Sequence, residues 1–539
     1  MKHSALNAMA AALIALTWAN PAPAHDHPAG TEPEKLGKIA FPTSCSTQVQ
    51  SRFEGGVAML HSFEYDRAVK RFEEITKTDP DCAIAYWGSA MSLYHQIWDD
   101  PSERDLATGW QLIQKARAAT ERNAHEEAWI KTLATFYEPG SRTVQQRTAQ
   151  YSEAMQKLHV SFPSDDEAAV FYALSLLAAA PPSDTELVYA RKAVAVLNEV
   201  LQRRPHHPGV AHYLIHACDN PLLASQGLAA ARRYASLAPS SPHALHMPSH
   251  IFTRLGLWDE DIASNLAAIQ AAKRDSAGAE YWLHPMDFLE YAYLQTGQDD
   301  KARAVAAEAA SGTAQGYGHG NEKYYFYAKA QAPALLALET RDWKAAEALQ
   351  PLAEAEPGYR RVTFWAQAVG AGHLRDVTAA QAAVGRFDED LAAFRKSHPN
   401  RPIPPVHVRT NEVHAWLAFA QADTAKAFDL LHAAIEYEDQ VGKGEVDLPA
   451  REMYADMLLE LNRPGDALEQ YRLSLKSDPN RFNGLFGAGR AAEALGRPDV
   501  AADYYRQLIA NCAQAGATGR TELAHAKQFV ARSSRASNS

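Results

Sequence analysis

Three residue types recur along this chain at fixed offsets, and the recurrence limits what it can fold into. Ala68, Phe72 and Pro80 set a spacing that Ala193, Leu197 and Pro205 repeat, and that Ala467, Tyr471 and Pro479 repeat again. Pro239 follows Pro205, and the pair His246 and His250 follows the pair His212 and His216, by one common interval of about 34 residues. Such a period marks one supersecondary unit stacked on copies of itself, because a single unit cannot bury its apolar face alone. The small residue lets two helices approach, the large one fills the gap between them, and proline ends the unit. The turns RLGLW, LQTGQ and ALGRP carry the glycines that end helices. No stretch alternates apolar and polar residues as a half-buried strand would. The pattern therefore predicts an all-α chain.

About ten to twelve helical pairs fit between the tails. The reading divides the chain into residues 1–24, a tail at 25–44, a first array at 45–310, a Gly-rich break at 311–322, a second array at 323–515, and an end segment at 516–539. A Pro-rich stretch, KSHPNRPIPPVHV, interrupts the second array.

Residues 1–24 read as a cleavable signal peptide. MKHS is a short basic start, ALNAMAAALIALTWA is an apolar run, and APA at 22–24 is a small-residue cleavage site. The run is too short to remain in a bilayer, and no other run reaches the ~18 residues of a membrane span. The expectation is a periplasmic or secreted protein with no membrane anchor. Cleavage removes one Lys and no acid, which takes the net charge from -11 to -12. An acidic chain does not suit nucleic acid as a partner. Of the four cysteines, Cys45 and Cys82 flank the first helical pair and are the expected bridge in an oxidising compartment.

The repeat resembles the tetratricopeptide (TPR) superfamily over nearly all of the chain. Phrases such as DPDCAIAYWGSAMSLYH, HPGVAHYLIHA and HMPSHIFTRLGLW also resemble a group of large exported bacterial TPR proteins of unsettled activity. The resemblance implies a right-handed superhelical solenoid. It also implies that ligands touch the first helix of each unit, at repeat positions 2, 5, 9, 12 and 13. Aligned on the terminal prolines, His212 and His246 take position 5, His216 and His250 position 9, and His243 position 2. Aligned on Gly256 and Gly297, His284, Asp287 and Tyr291 take positions 2, 5 and 9 of the next unit. His95 takes position 13 of an earlier unit, and His61 lies one repeat length before it. Pro248 falls inside one of these helices, so the aim of His243 and His246 depends on whether it kinks the helix or starts it late.

Two imidazoles four residues apart share a helix face, and neutral imidazoles suit divalent transition metals. The expected metal ligands are His212, His216, His243, His246, His250, His284 and Asp287, with Zn, Cu, Ni or Fe as the ion. The competing reading is a metal-free groove that hydrogen-bonds a peptide, protein or small molecule, with His61, His95 and Tyr291 on its wall. Cleavage after Ala24 would expose His25-Asp26-His27, and a free amine with a third-position His suits square-planar Cu(II) or Ni(II). Neither pair forms HExxH, and there is no GxSxG, P-loop or dinucleotide fingerprint. Three functions stay open: a groove that binds a ligand through histidines, with or without a metal; a metal-free scaffold in the cell envelope; and a metal-dependent hydrolase or oxidase. Ligand affinity for a metal is expected to fall as pH drops through ~6.5, the unperturbed His pKa.

Overall fold

The structure is a computed structural model that describes residues 34–97, 100–275, 277–311, 322–397, 404–444, 446–516 and 520–536. The signal segment, His25 and His27 and most of the Gly-rich break lie outside them. Among the described residues the chain is a succession of helices from Gln50–His61 to Thr521–Ala536. The only extended pairing among those residues is an isolated bridge between Cys82 and Glu121. No described helix is long and apolar enough to cross a membrane.

The recurring residues do what their sizes dictate. Ala68, Phe72, Ala193, Leu197, Ala467 and Tyr471 are all fully buried. The ring of Phe72 lies against Gly56 and Gly88 on the two neighbouring helices, where a Cβ would overlap it. Helix starts are written locally. Ser102 with Asp105, Asn123 with Glu126 and Thr143 with Gln146 form capping boxes that satisfy otherwise orphaned N–H groups. Cys45 and Cys82 are joined by a disulfide, which ties the segment before the first helix to the start of the third.

The buried apolar residues form two clusters, one from Leu36 to Phe252 and one from Trp258 to Ala526. The change of cluster falls at the turn around Gly256, which has φ +62° and caps the helix Pro248–Leu255. A Cβ on Gly256 would also strike the carbonyl of Pro479. That contact shows a departure from nearest-neighbour stacking. Trp258 Nε1 donates to Asn480 O at 2.9 Å, Asn220 Nδ2 to Val441 O at 2.9 Å, and Arg254 Nη1 to Lys443 O at 2.8 Å. Residues near 441–480 thus return to residues near 220–258. At the other end, the turn Ser62–Glu64 reaches helices far along the chain. Ser241 Oγ donates to Glu64 at 2.6 Å, and Tyr281 Oη donates to Phe63 O at 3.0 Å.

Candidate metal centre

Six of the seven expected ligands come together as two sets of three. His212, His216 and His243 form one; His246, His250 and His284 form the other. Within each set, the nearest available nitrogens all lie within 4.8 Å of one another. Each set takes an i,i+4 pair from one helix and a single histidine from the start of the following unit. Pro248 does not spoil the aim. The helix Pro242–His246 passes through Met247 (φ -50°, ψ -34°) into Pro248–Leu255, so proline starts the second segment where no N–H is required.

The outer nitrogens fix which way each ring presents its lone pair. His212 Nδ1 donates to His61 O at 2.6 Å, so Nε2 carries the lone pair. His216 Nε2 and His243 Nε2 lie 3.0 and 3.1 Å from that nitrogen. In the second set His246 Nδ1 donates to Asn265 Oδ1 at 2.7 Å. Asn265 is oriented by its own amide, which donates to Asp261 Oδ1 at 2.6 Å. His250 Nδ1 faces Asp219 Oδ2 at 2.8 Å, and Arg254 Nε holds the other oxygen of Asp219 at 2.8 Å. The Nε2 atoms of His246 and His250 then meet at 3.1 Å. Two lone pairs repel at that distance. One ring must take a second proton, or a cation must lie between them.

Burial disfavours the extra proton on His246. Burial holds the imidazoles of His212, His243 and His246 well below the usual range, and neighbouring histidines lower them further. Burial and His250 bring His216 and His284 down to about 3. Asp261, buried beneath Asn265, is pushed up to about 8 by desolvation. His216 and His284, one from each set, are the two rings only half-buried, so the centre opens at that edge. Phe63 packs on the first set and Phe288 on the second.

The lowered values carry a stability consequence. As pH falls below ~6.5, an unfolded chain protonates its histidines while the folded one keeps them neutral, so stability falls with pH. The loss continues until the folded imidazoles protonate, near 3 for His216 and His284. Each ring held neutral adds a slope of about 1.4 kcal/mol per pH unit. The melting temperature of the metal-free protein should therefore drop steadily from about pH 6.5 to about pH 4. His216→Asn combined with His284→Asn should flatten that curve; an unchanged slope in this variant would refute the assignment.

The remaining expected residues sit elsewhere. Asp287 is not a member of either set; Tyr327 Oη approaches it at 3.3 Å. Tyr291 is not on a groove wall. It is fully buried in the second cluster, where it donates to Asp447 O at 3.0 Å and Arg481 donates to it. His95 is half-buried and stacks on Tyr65 at 4.5 Å. His61 is fully buried, and fold-back makes it a neighbour of the site that its position in the sequence separates from it. Its carbonyl orients His212, while its ring bonds Glu167 at 2.7 Å and Tyr213 at 3.0 Å. Gly209 admits that ring, since a Cβ there would overlap His61 Nδ1.

His61, Glu167 and His207 also lie within ligand range of one another, but their lone pairs do not converge. His207 Nδ1 accepts from Val210 N–H, so its Nε2 carries the proton and donates to Glu167 at 2.9 Å. Burial raises the Glu167 pKa, yet His207 and His61 outweigh it and hold the carboxyl well below its usual range. This triad is a satisfied hydrogen-bond network. A 330 Å³ cavity adjoins it, lined by Lys38, Arg203 and Arg204 among others, and by none of the six histidines.

Sequence reasoning did not find Phe63, Asp219, Asn265 or Phe288. Asp219 stands three residues after His216, and a carboxylate so close to a histidine pair was the available signal. Nothing at Phe63 announces a partner so far away along the chain as His212.

The fold is a helical-repeat solenoid with a histidine cluster between successive units. A tetratricopeptide-repeat family model matches residues 64–103 and 453–516. No curated protein matches the sequence at a significant level. Among solved structures, the chain is similar to a human IFIT1 dimer with m7Gppp-AAAA, at 13% identity, 84% coverage of this chain and 88% of that one, and a TM-score of 0.36. It is also similar to the TPR domain of P58(IPK), at 11% identity, 90% and 99% coverage, and a TM-score of 0.20. Likenesses at these scores transfer no ligand. Arrays of such repeats serve as interaction scaffolds.

Proposed function

We propose that this is an exported TPR protein that binds transition-metal ions between its repeats through six histidines. The observation that carries the reading is the meeting of His246 Nε2 and His250 Nε2 at 3.1 Å while both Nδ1 atoms face oxygen acceptors. Three nitrogens held ~2.0–2.1 Å from a tetrahedral ion lie ~3.4 Å apart. The spacings of His216 and His243 from His212, 3.0 and 3.1 Å, and of His246 from His250, 3.1 Å, are close to that. Three ligands per ion leave an open fourth position, the arrangement of metal sites that bind a further ligand or act catalytically. The Cys45–Cys82 disulfide supports export to an oxidising compartment, as does the signal-like start of the sequence.

The test is elemental analysis of protein purified without a His tag, then loaded with zinc and desalted. Two zinc ions per chain are expected. A protein that holds no zinc after loading is instead the metal-free scaffold. Because the fold keeps these imidazoles neutral, zinc should stay bound well below about pH 6.5, where ordinary histidine sites release it.

Asp219 supplies a carboxylate behind His250, which raises the basicity of that ligand. Asp219→Asn should weaken zinc at the second set by about 10–100-fold and at the first set much less. Titration against a chelator resolves the two sites. Equal weakening of both, or of neither, would show that the carboxylate has no such role.

A further inference from the structure

We infer that the two histidine sets form one coupled binuclear centre whose ions share a small anionic oxygen ligand, such as hydroxide. The inference rests on the metal-binding reading above and goes beyond it in joining the sites. Within the first set, the ring centroids of His216 and His243 are 6.5 Å apart. Across the two sets, His216 to His250 is 6.3 Å and His243 to His246 is 6.4 Å. The gap between sets is thus no wider than the widest gap inside one. Ions at the two foci would therefore be neighbours, and in two-metal sites one bridging atom spans a pair of ions ~3.5–4 Å apart.

Charge identifies the bridge. Two divalent ions bring four positive charges, and six neutral imidazoles bring none to offset them. The adjacent carboxylate, Asp219, is matched by Arg254 at 2.8 Å. Among the described residues, no carboxylate belongs to either set. Binuclear sites with bridging Asp or Glu supply their own anion; with no carboxylate in either set, this one would take it from solution. The ions' open positions would share it, and His216 and His284 stand at the half-buried edge by which it enters. Phe63 and Phe288 flank the rings with apolar faces, a setting in which two unneutralised cations would repel strongly.

The repeat accounts for the pairing. Positions 5 and 9 of one unit join position 2 of the next, twice in succession, so stacking two units places two foci side by side. A single such unit would give a mononuclear site.

The test uses Cu(II), which heads the affinity order for imidazole sites. The full chain is loaded and desalted, total copper is measured, and unpaired spins are counted by electron paramagnetic resonance. Two coppers that share an oxygen bridge couple their spins and disappear from the spectrum. Total copper minus counted spins should therefore equal two per chain. Any copper held at a chain terminus adds equally to both quantities and cancels. His284→Ala should restore a spin signal from the ion left in the first set. Two site-bound coppers with full spin intensity would overturn the coupling while leaving metal binding intact. One ion per chain would also overturn it, and no bound ion would overturn both readings.

Discussion

Changing His216 and His250 together to alanine is expected to strip zinc from both sites. Each set then keeps two ligands of three. Removing a partner that merely orients a ligand costs about 10–100-fold in affinity, and removing a ligand itself costs more. Zinc content after desalting should fall from two ions per chain to a small fraction of one. The fold should survive, because His216 lies at the half-buried edge and Asp219 keeps Arg254 when His250 is gone. Far-UV circular dichroism should match the wild type. If the double variant keeps full zinc, the six histidines are not the site. If it unfolds, they are structural, and the metal reading loses its main support.

Arg481→Ala is expected to produce the largest loss of stability. Arg481 is buried and donates to Glu452 at 2.9 Å and to Glu339 at 2.8 Å, and it also reaches Tyr291. Asn483 Nδ2 holds the other oxygen of Glu339 at 3.0 Å. Both carboxylates are themselves buried. Without the guanidinium they stay in a medium that cannot solvate them. Breaking a buried pair in this way costs about 3–5 kcal/mol. Urea unfolding should show the loss in the transition of the second apolar cluster. Adding Glu339→Gln and Glu452→Gln to the variant should recover part of it, because the unpaired charge is then gone. A change below about 1 kcal/mol in the single variant would mean that solvent reaches the network.

The same network explains why Tyr291 was misread from the sequence. Its repeat position assigns it to a groove wall, on the assumption that each unit meets only its neighbours. In the structure residues 441–483 pack back onto earlier helices, and the place where a ligand would sit is filled by Arg481, Lys443 and Asp447. His61 shows the converse. Its distance along the chain separates it from the histidine cluster, while the turn after it lies across the helices that carry that cluster. Both outcomes depend on contacts between distant segments, which no local period encodes.

The repeat, the helix starts and the histidine register are local properties and can be read from neighbouring residues alone. Ala-to-Pro offsets dictate which side chains face the next helix, capping residues dictate where helices begin, and a four-residue step puts two imidazoles on one face. These rules also reached the six histidines that converge. Only the tertiary structure decided that the six divide into two sets, that Asp287 joins neither, and that His61 O, Asn265 and Asp219 aim the rings. The physical reason is range. A helix period acts over a few residues, whereas the hydrogen bond that fixes His212 spans 151 residues of chain and exists only when the array has closed on itself.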